Sequence, residues 1–120
     1  QAIKWYQEAA QQGYSKAQFN LALMYDQGRG VPQNYKQAAK WYRRAAKQGN
    51  VKAQYNLGVM YVNGEAVPQN YVQAHKWFNL SASRGQSQAR KNRDSVEKRM
   101  TQDQVAKAQK LAREWKPKHK

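Results

Sequence analysis

The 120-residue chain contains no cysteine, only two histidines and only seven acidic side chains. The absence of cysteine excludes disulfides, thiolate nucleophiles and cysteine-based metal sites. His75 and His119 have no second histidine or cysteine at ligand spacing, so we expect no metal and no cofactor. The mean hydropathy is −1.14, and no apolar run approaches the ~20 residues that span a bilayer, so we expect no membrane insertion.

Basic side chains are abundant by comparison. Lysine and arginine number 22, which gives a net charge of +15. Residues 1–83 carry +7 of this charge and residues 84–120 carry +8. Such a balance favours acidic partners through long-range attraction that salt screens.

The chain repeats itself at a fixed step. Trp5, Trp41 and Trp77 are 36 residues apart, and residues 17–49 share 18 of 33 positions with residues 53–85. A fixed period of about 20 to 50 residues predicts stacked supersecondary units, each too small to bury its own apolar face. The three tryptophans recur on an apolar helical stripe, so we predict that all three are buried in the core.

Two apolar patterns with helical spacing alternate along the repeat. We name them helix A, marked by Leu21 and Tyr25, and helix B, marked by Trp41 and Ala45. They predict a helix B over 2–12, an A/B pair over 15–48 and a second pair over 51–84. Asn34 is a predicted N-cap, and Gly49 stands where a helix B must end.

The third unit departs from the pattern. Arg93 and Glu97 stand where the earlier units have leucine and tyrosine, which predicts a polar C-terminal cap. Thr101 and Gln104 predict a capping box at the start of a last helix. We therefore divide the chain into repeats over 1–85, a degenerate unit with a capping helix over 86–116, and a basic tail over 117–120.

The pattern Ala53, Leu57, Gly58, Tyr61 and Gly64, followed by Val67, Tyr71, Ala74, Trp77 and Gly85, resembles the Sel1-like repeat, a relative of the tetratricopeptide repeat. The resemblance implies an all-α fold: a right-handed α-solenoid of antiparallel helix pairs that acts as an adaptor in protein complexes. The C-terminal helix is similar to those that follow such arrays in bacterial proteins. Residue 1 matches the middle of a repeat, so the chain is expected to begin inside a longer protein. The resemblance favours a bacterial periplasmic or exported location, although the sequence itself assigns no compartment.

In the related tetratricopeptide units, helix A lines the concave surface. The resemblance therefore implies a partner-binding surface made of Lys16, Phe19, Asn20, Leu23, Lys52, Tyr55, Asn56, Val59, Asn63, Lys91 and Ser95, extended by Asp26, Gln27, Val62, Lys98 and Arg99. Aromatic anchors, amides and ammonium groups suit an extended peptide or helix with acidic residues or a free carboxylate. Asn20 and Asn56 have a second interpretation, in which they bridge helices internally.

The functional hypothesis is a non-catalytic scaffold that binds a protein or peptide partner, and a monomer is expected, with oligomers left open. The alternative is a basic module that binds nucleic acid or another polyanion, and a steep fall of affinity with salt would distinguish it. No constellation of nucleophile and base indicates an enzyme. Asp94 and Glu97 are expected to form salt bridges with Arg90, Arg93 or Lys98.

Overall fold

The computed structural model describes residues 2–117, and every regular element in this range is helical. The helices are α1 Ala2–Gln11, α2 Ser15–Gln27, α3 Tyr35–Lys47, α4 Val51–Asn63, α5 Tyr71–Ala82, α6 Ser87–Glu97 and α7 Gln102–Glu114. Helices α2, α4 and α6 correspond to helix A, and α1, α3 and α5 to helix B. Residues 118–120, most of the expected basic tail and including His119, lie outside the described residues.

The predicted helix ends are confirmed. The Asn34 side chain accepts a hydrogen bond from the Gln37 backbone N–H at 3.1 Å, as an N-cap should. Thr101 and Gln104 form both hydrogen bonds of the capping box at the start of α7. Gly49 has φ 103° after the end of α3, a left-handed conformation that glycine adopts without steric cost.

Neighbouring helices pack in chain order, which makes the molecule elongated. Each of α1 to α5 packs against the helix that follows it, α5 also packs against α7, and the overall extents are 48 × 26 × 22 Å. The larger core cluster includes Leu21, Leu57, Trp41 and Trp77. The predicted α-solenoid is therefore the observed architecture, with its core running as a stripe between units.

A buried glutamine joins each of the first two helices A, α2 and α4, to the helix B before it. The Gln18 side-chain amide donates to the Ala10 carbonyl at 3.1 Å, and Gln54 repeats this bond to the Ala46 carbonyl at 3.2 Å. Both glutamines are buried, and buried amides are stable only when they are hydrogen-bonded. The repeat thus conserves a polar contact between helices as well as the apolar stripe.

The tryptophan prediction is confirmed at two positions and wrong at the third. Trp41 is 5% and Trp77 3% exposed, whereas Trp5 is 62% exposed. Helices α3 and α5 are packed on both sides, but α1 packs against α2, so the Trp5 indole meets the edge of Tyr6 and little else. An apolar stripe predicts burial only where a second helix covers it.

Helix α7 closes the C-terminal side of the core. Trp115 lies against Trp77 in an edge-to-face arrangement, with ring centroids 6.3 Å apart. Ala108 and Ala112 are buried on the same helix. This packing is what a capping helix requires.

Candidate interaction surface

Helices α2, α4 and α6 form a surface with two neighbouring clefts. One cleft of about 350 Å³ lies between α2 and α4 and is lined by Lys16, Phe19, Asn20, Asn50, Val51 and Lys52. The other, of about 240 Å³, lies between α4 and α6; its lining includes Val59, Val62, Asn63, Asn92, Ser95 and Val96. Helix α4 contributes to both clefts, the first with its N-terminal end and the second with its C-terminal end.

The predicted site residues divide between these clefts and the core. Seven of the eleven residues first named for the predicted surface line a cleft: Lys16, Phe19, Asn20 and Lys52 the first, and Val59, Asn63 and Ser95 the second. Lys91 is exposed on α6, and Leu23 packs against the larger core cluster. Asn92 was missed, although its position 36 residues after Asn56 was a usable signal.

Tyr55 contributes more to internal packing and hydrogen bonding than to the exposed surface. Its ring packs against Phe78 with centroids 5.8 Å apart, and its hydroxyl accepts a hydrogen bond from the Asn92 amide at 3.3 Å. Asn56 approaches the Tyr42 hydroxyl, which agrees with the interpretation of this asparagine as an internal bridge. Substituting Tyr55 and Asn56 would therefore disturb packing together with any binding.

Asp26 is held by the neighbouring helix. The Tyr42 hydroxyl donates to the Asp26 carboxylate at 3.0 Å, so this carboxylate is engaged within the hairpin. Burial, and then the Asp26 carboxylate, raise the pKa of Tyr42 well above its ordinary value of 10.0. In the next unit Phe78 and Val62 stand at these positions, so an apolar contact replaces the polar one.

His75 and Glu97 form a pair that the sequence analysis did not predict. The imidazole Nε2 is 2.7 Å from the Glu97 carboxylate, and His75 is 1% exposed. Both residues depart from the repeat, where Ala39 and Tyr61 precede them by 36 positions, and paired departures of this kind were the available signal. The expected bridge from Arg93 to Asp94 is present at 3.1 Å, but Glu97 pairs with His75 instead of with a base on its own helix.

The first cleft is electropositive. Lys16 and Lys52 both line it, and no carboxylate is among its lining residues. A larger cleft of about 610 Å³ between α1 and α2 shares Lys16 and Asn20, and it adds Trp5, Tyr6 and Tyr14. Lys16 and Asn20 thus lie between two openings, one flanked by lysines and one by aromatic rings.

Two further properties concern residues 2–117 as a whole. None of the helices described there is long and apolar enough to cross a bilayer. Within the same residues, no group of three or more histidine and carboxylate side chains is placed to hold a metal ion.

The sequence profile of the Sel1 repeat matches residues 1–14, 15–50 and 51–86. Among solved structures, a protective antigen of uropathogenic Escherichia coli that displays an SLR fold is similar, with a TM-score of 0.90 and 38% identity over 94% of this chain. A Sel1 repeat protein from Oxalobacter formigenes has a TM-score of 0.74 and 41% identity over 76% of this chain. The chain spans 24% and 37% of the lengths of these two proteins, respectively.

Among curated proteins, the DAP3-binding cell death enhancer 1 proteins of Rattus norvegicus and Mus musculus are each 46% identical over 37 residues. This similarity covers 31% of the chain and 7% of each relative, about one repeat. Sel1-repeat proteins are generally non-catalytic scaffolds for protein interactions. Because the repeat matches extend over most of its length, this chain belongs to the Sel1-repeat family.

Proposed function

We propose that this chain is a non-catalytic scaffold that binds an extended segment of a protein partner along α2, α4 and α6, the side that the family resemblance makes concave. The observation that carries the proposal is the pair of clefts at the two ends of α4, one shared with α2 and the other with α6. An extended segment can place side chains in both clefts while its backbone follows the surface between them. A single globular contact would not need this regular arrangement.

The chemistry of the surface favours an acidic segment. Lys16 and Lys52 line one cleft, and Lys91 is exposed on the next helix A. Charge-assisted hydrogen bonds from lysine to a carboxylate are stronger than neutral ones, and Asn20 and Asn63 can hold backbone amides beside them. The partner class is therefore a peptide segment with acidic residues or a free C-terminal carboxylate.

The test begins with a peptide ligand of defined sequence, selected from a displayed random library on the purified chain. Titration of that peptide should shift the NMR signals of Asn20, Asn63 and Ser95. The double variant Lys16→Gln/Lys52→Gln should weaken binding by roughly tenfold or more, since loss of a hydrogen bond to a charged group costs about 1.5–3 kcal/mol. Asn63→Ala/Ser95→Ala should weaken binding without changing the charge.

The matched control is Lys107→Gln/Lys110→Gln, which removes the same charge from exposed positions on α7. Its affinity should stay within about twofold of the wild type, because exposed charges outside the site act only through a screened field. Equal weakening by both double variants, or signal shifts confined to α3 and α5, would contradict binding on the proposed surface.

A further inference from the structure

A separate pocket of about 350 Å³ lies between α3 and α5, on the helices B. Arg43 and Lys47 enter it from α3, Lys76 enters it from α5, and Tyr61, Asn70 and Gln73 complete its polar lining. Three cationic side chains converge there, and no carboxylate is among the lining residues. The ion pairs found in the described part of the chain, His75 with Glu97 and Arg93 with Asp94, neutralise none of the three.

Contacts within the fold hold two of these cations in place. The Lys76 ammonium lies over the Trp77 ring, 4.5 Å from its centroid, and the Arg43 guanidinium donates to the Tyr61 hydroxyl at 3.4 Å. Burial, and then the charge of Lys47, lower the pKa of Lys76. The Lys76 ammonium is thus partly buried beside a second cation, and a bound anion would favour its charged form.

Comparison of the repeat units shows that the cations Arg43 and Lys47 have no charged counterparts in the neighbouring units. The frame of the pocket recurs 36 residues earlier in Tyr25, Asn34, Gln37 and Lys40, but Gln7 and Gln11 stand where the pocket has Arg43 and Lys47. One unit later the same two positions hold Asn79 and Ser83. The repeat therefore requires neither cation, and both occur at the same helix interface.

We propose that Arg43, Lys47 and Lys76 form a binding site for a small phosphate-bearing anion of the diphosphate class. A single carboxylate would leave most of the positive charge uncompensated, whereas a diphosphate carries several charges. The planar guanidinium matches two phosphate oxygens at once, and Gln73 offers an amide donor beside it. The site does not depend on the proposed peptide surface, which lies on α2, α4 and α6.

The geometry favours a discrete ligand over a nucleic acid strand. Strands without sequence preference bind along extended basic grooves and stack their bases on exposed aromatic rings. Here the ring beneath Lys76 belongs to Trp77, which is 3% exposed and so cannot accept a base. Arg43, Lys47 and Lys76 line a single pocket.

The experiment is calorimetric titration of the purified chain with inorganic pyrophosphate at low ionic strength. The wild type should bind one pyrophosphate per chain with a saturable isotherm. Arg43→Gln/Lys47→Gln restores the glutamines of the preceding unit, and it should weaken binding by roughly tenfold or more, as loss of charged hydrogen bonds predicts. Circular dichroism and urea unfolding of this variant confirm that it keeps its fold.

The matched control is Lys36→Gln/Lys40→Gln. It removes two exposed charges, four residues apart, from the same helix, and Lys40 is the repeat counterpart of Lys76. Its affinity for pyrophosphate should stay within about twofold of the wild type. The proposal is overturned if pyrophosphate shows no saturable binding, or if both double variants weaken it equally. It also fails if a single-stranded oligonucleotide binds while pyrophosphate does not.

Discussion

At the residue scale, the most informative differences between the two complete units are at positions whose side chains contact each other. Tyr42 and Asp26 share a hydrogen bond, and their counterparts Phe78 and Val62 are both apolar. Gly58 stands where the earlier unit has Ala22, and a methyl group there would come within 2.7 Å of the Phe78 ring. The partner of each residue depends on tertiary packing that one sequence does not display.

The raised pKa of Tyr42 predicts a specific loss of stability in alkali. Below pH 10.0 the phenol is protonated in both the folded and the unfolded chain, and its hydrogen bond contributes about 1 kcal/mol. As the pH rises through that value, only the unfolded chain releases the proton, so the free energy of unfolding falls by up to about 1.4 kcal/mol per pH unit. Tyr42→Phe has no hydroxyl at this position, so its free energy of unfolding lacks this pH-dependent contribution.

Urea unfolding over a series of pH values checks this prediction. The wild type should be the more stable protein at neutral pH, and its advantage over Tyr42→Phe should shrink as the pH rises above the ordinary tyrosine pKa. The other tyrosines are common to both proteins and cancel in the difference. An advantage that stays constant into the alkaline range would show that the Tyr42 hydroxyl is not protected in the folded chain.

At the element scale, helix boundaries were the most predictable feature of the molecule. The Asn34 cap, the Gly49 turn and the Thr101 capping box all depend on local chemistry, which a sequence displays directly. The exposure of Trp5 and the pairing of His75 with Glu97 depend instead on which helix covers which. Seven predicted surface residues do line clefts, because helical periodicity determines the face on which a side chain emerges.

The capping box gives a prediction about α7 alone. Thr101→Ala removes the acceptor of the Gln104 backbone N–H, and it should destabilise the protein by about 1 kcal/mol. Amide hydrogen exchange should accelerate mainly in residues 102–114. Thr101→Ser keeps a hydroxyl acceptor and should change the free energy of unfolding little. If the serine variant were as unstable as the alanine variant, the threonine methyl group, and not the cap, would be responsible.

At the scale of the whole molecule, stability comes from contacts between neighbouring units. Each of α1 to α5 packs against the helix that follows it, α7 packs against α5, and Trp115 extends the stripe by covering Trp77. In such an array the loss of one interface weakens the units that share it. The two ends of the described chain therefore differ: Trp115 is packed against the core, whereas Trp5 is exposed.

Alanine substitution of these two tryptophans should have unequal effects. Trp115→Ala should lower the free energy of unfolding by about 1–3 kcal/mol, less than the 3–5 kcal/mol typical of a fully buried aromatic ring, because Trp115 is only partly buried. Trp5→Ala should change it by less than about 0.5 kcal/mol, as is usual for surface positions. Urea denaturation of both variants measures the difference. Comparable losses would mean that α7 is not part of the cooperative core.

The position of α7 also limits how such an array can lengthen during evolution. Its Trp115 occupies the side of Trp77, so a unit duplicated after residue 86 would have to displace it. A unit inserted between the two complete units would be flanked on each side by the same valine-proline-glutamine-asparagine-tyrosine turn and the same buried glutamine. Insertion of a unit there would therefore leave the contact between Trp115 and Trp77 unchanged.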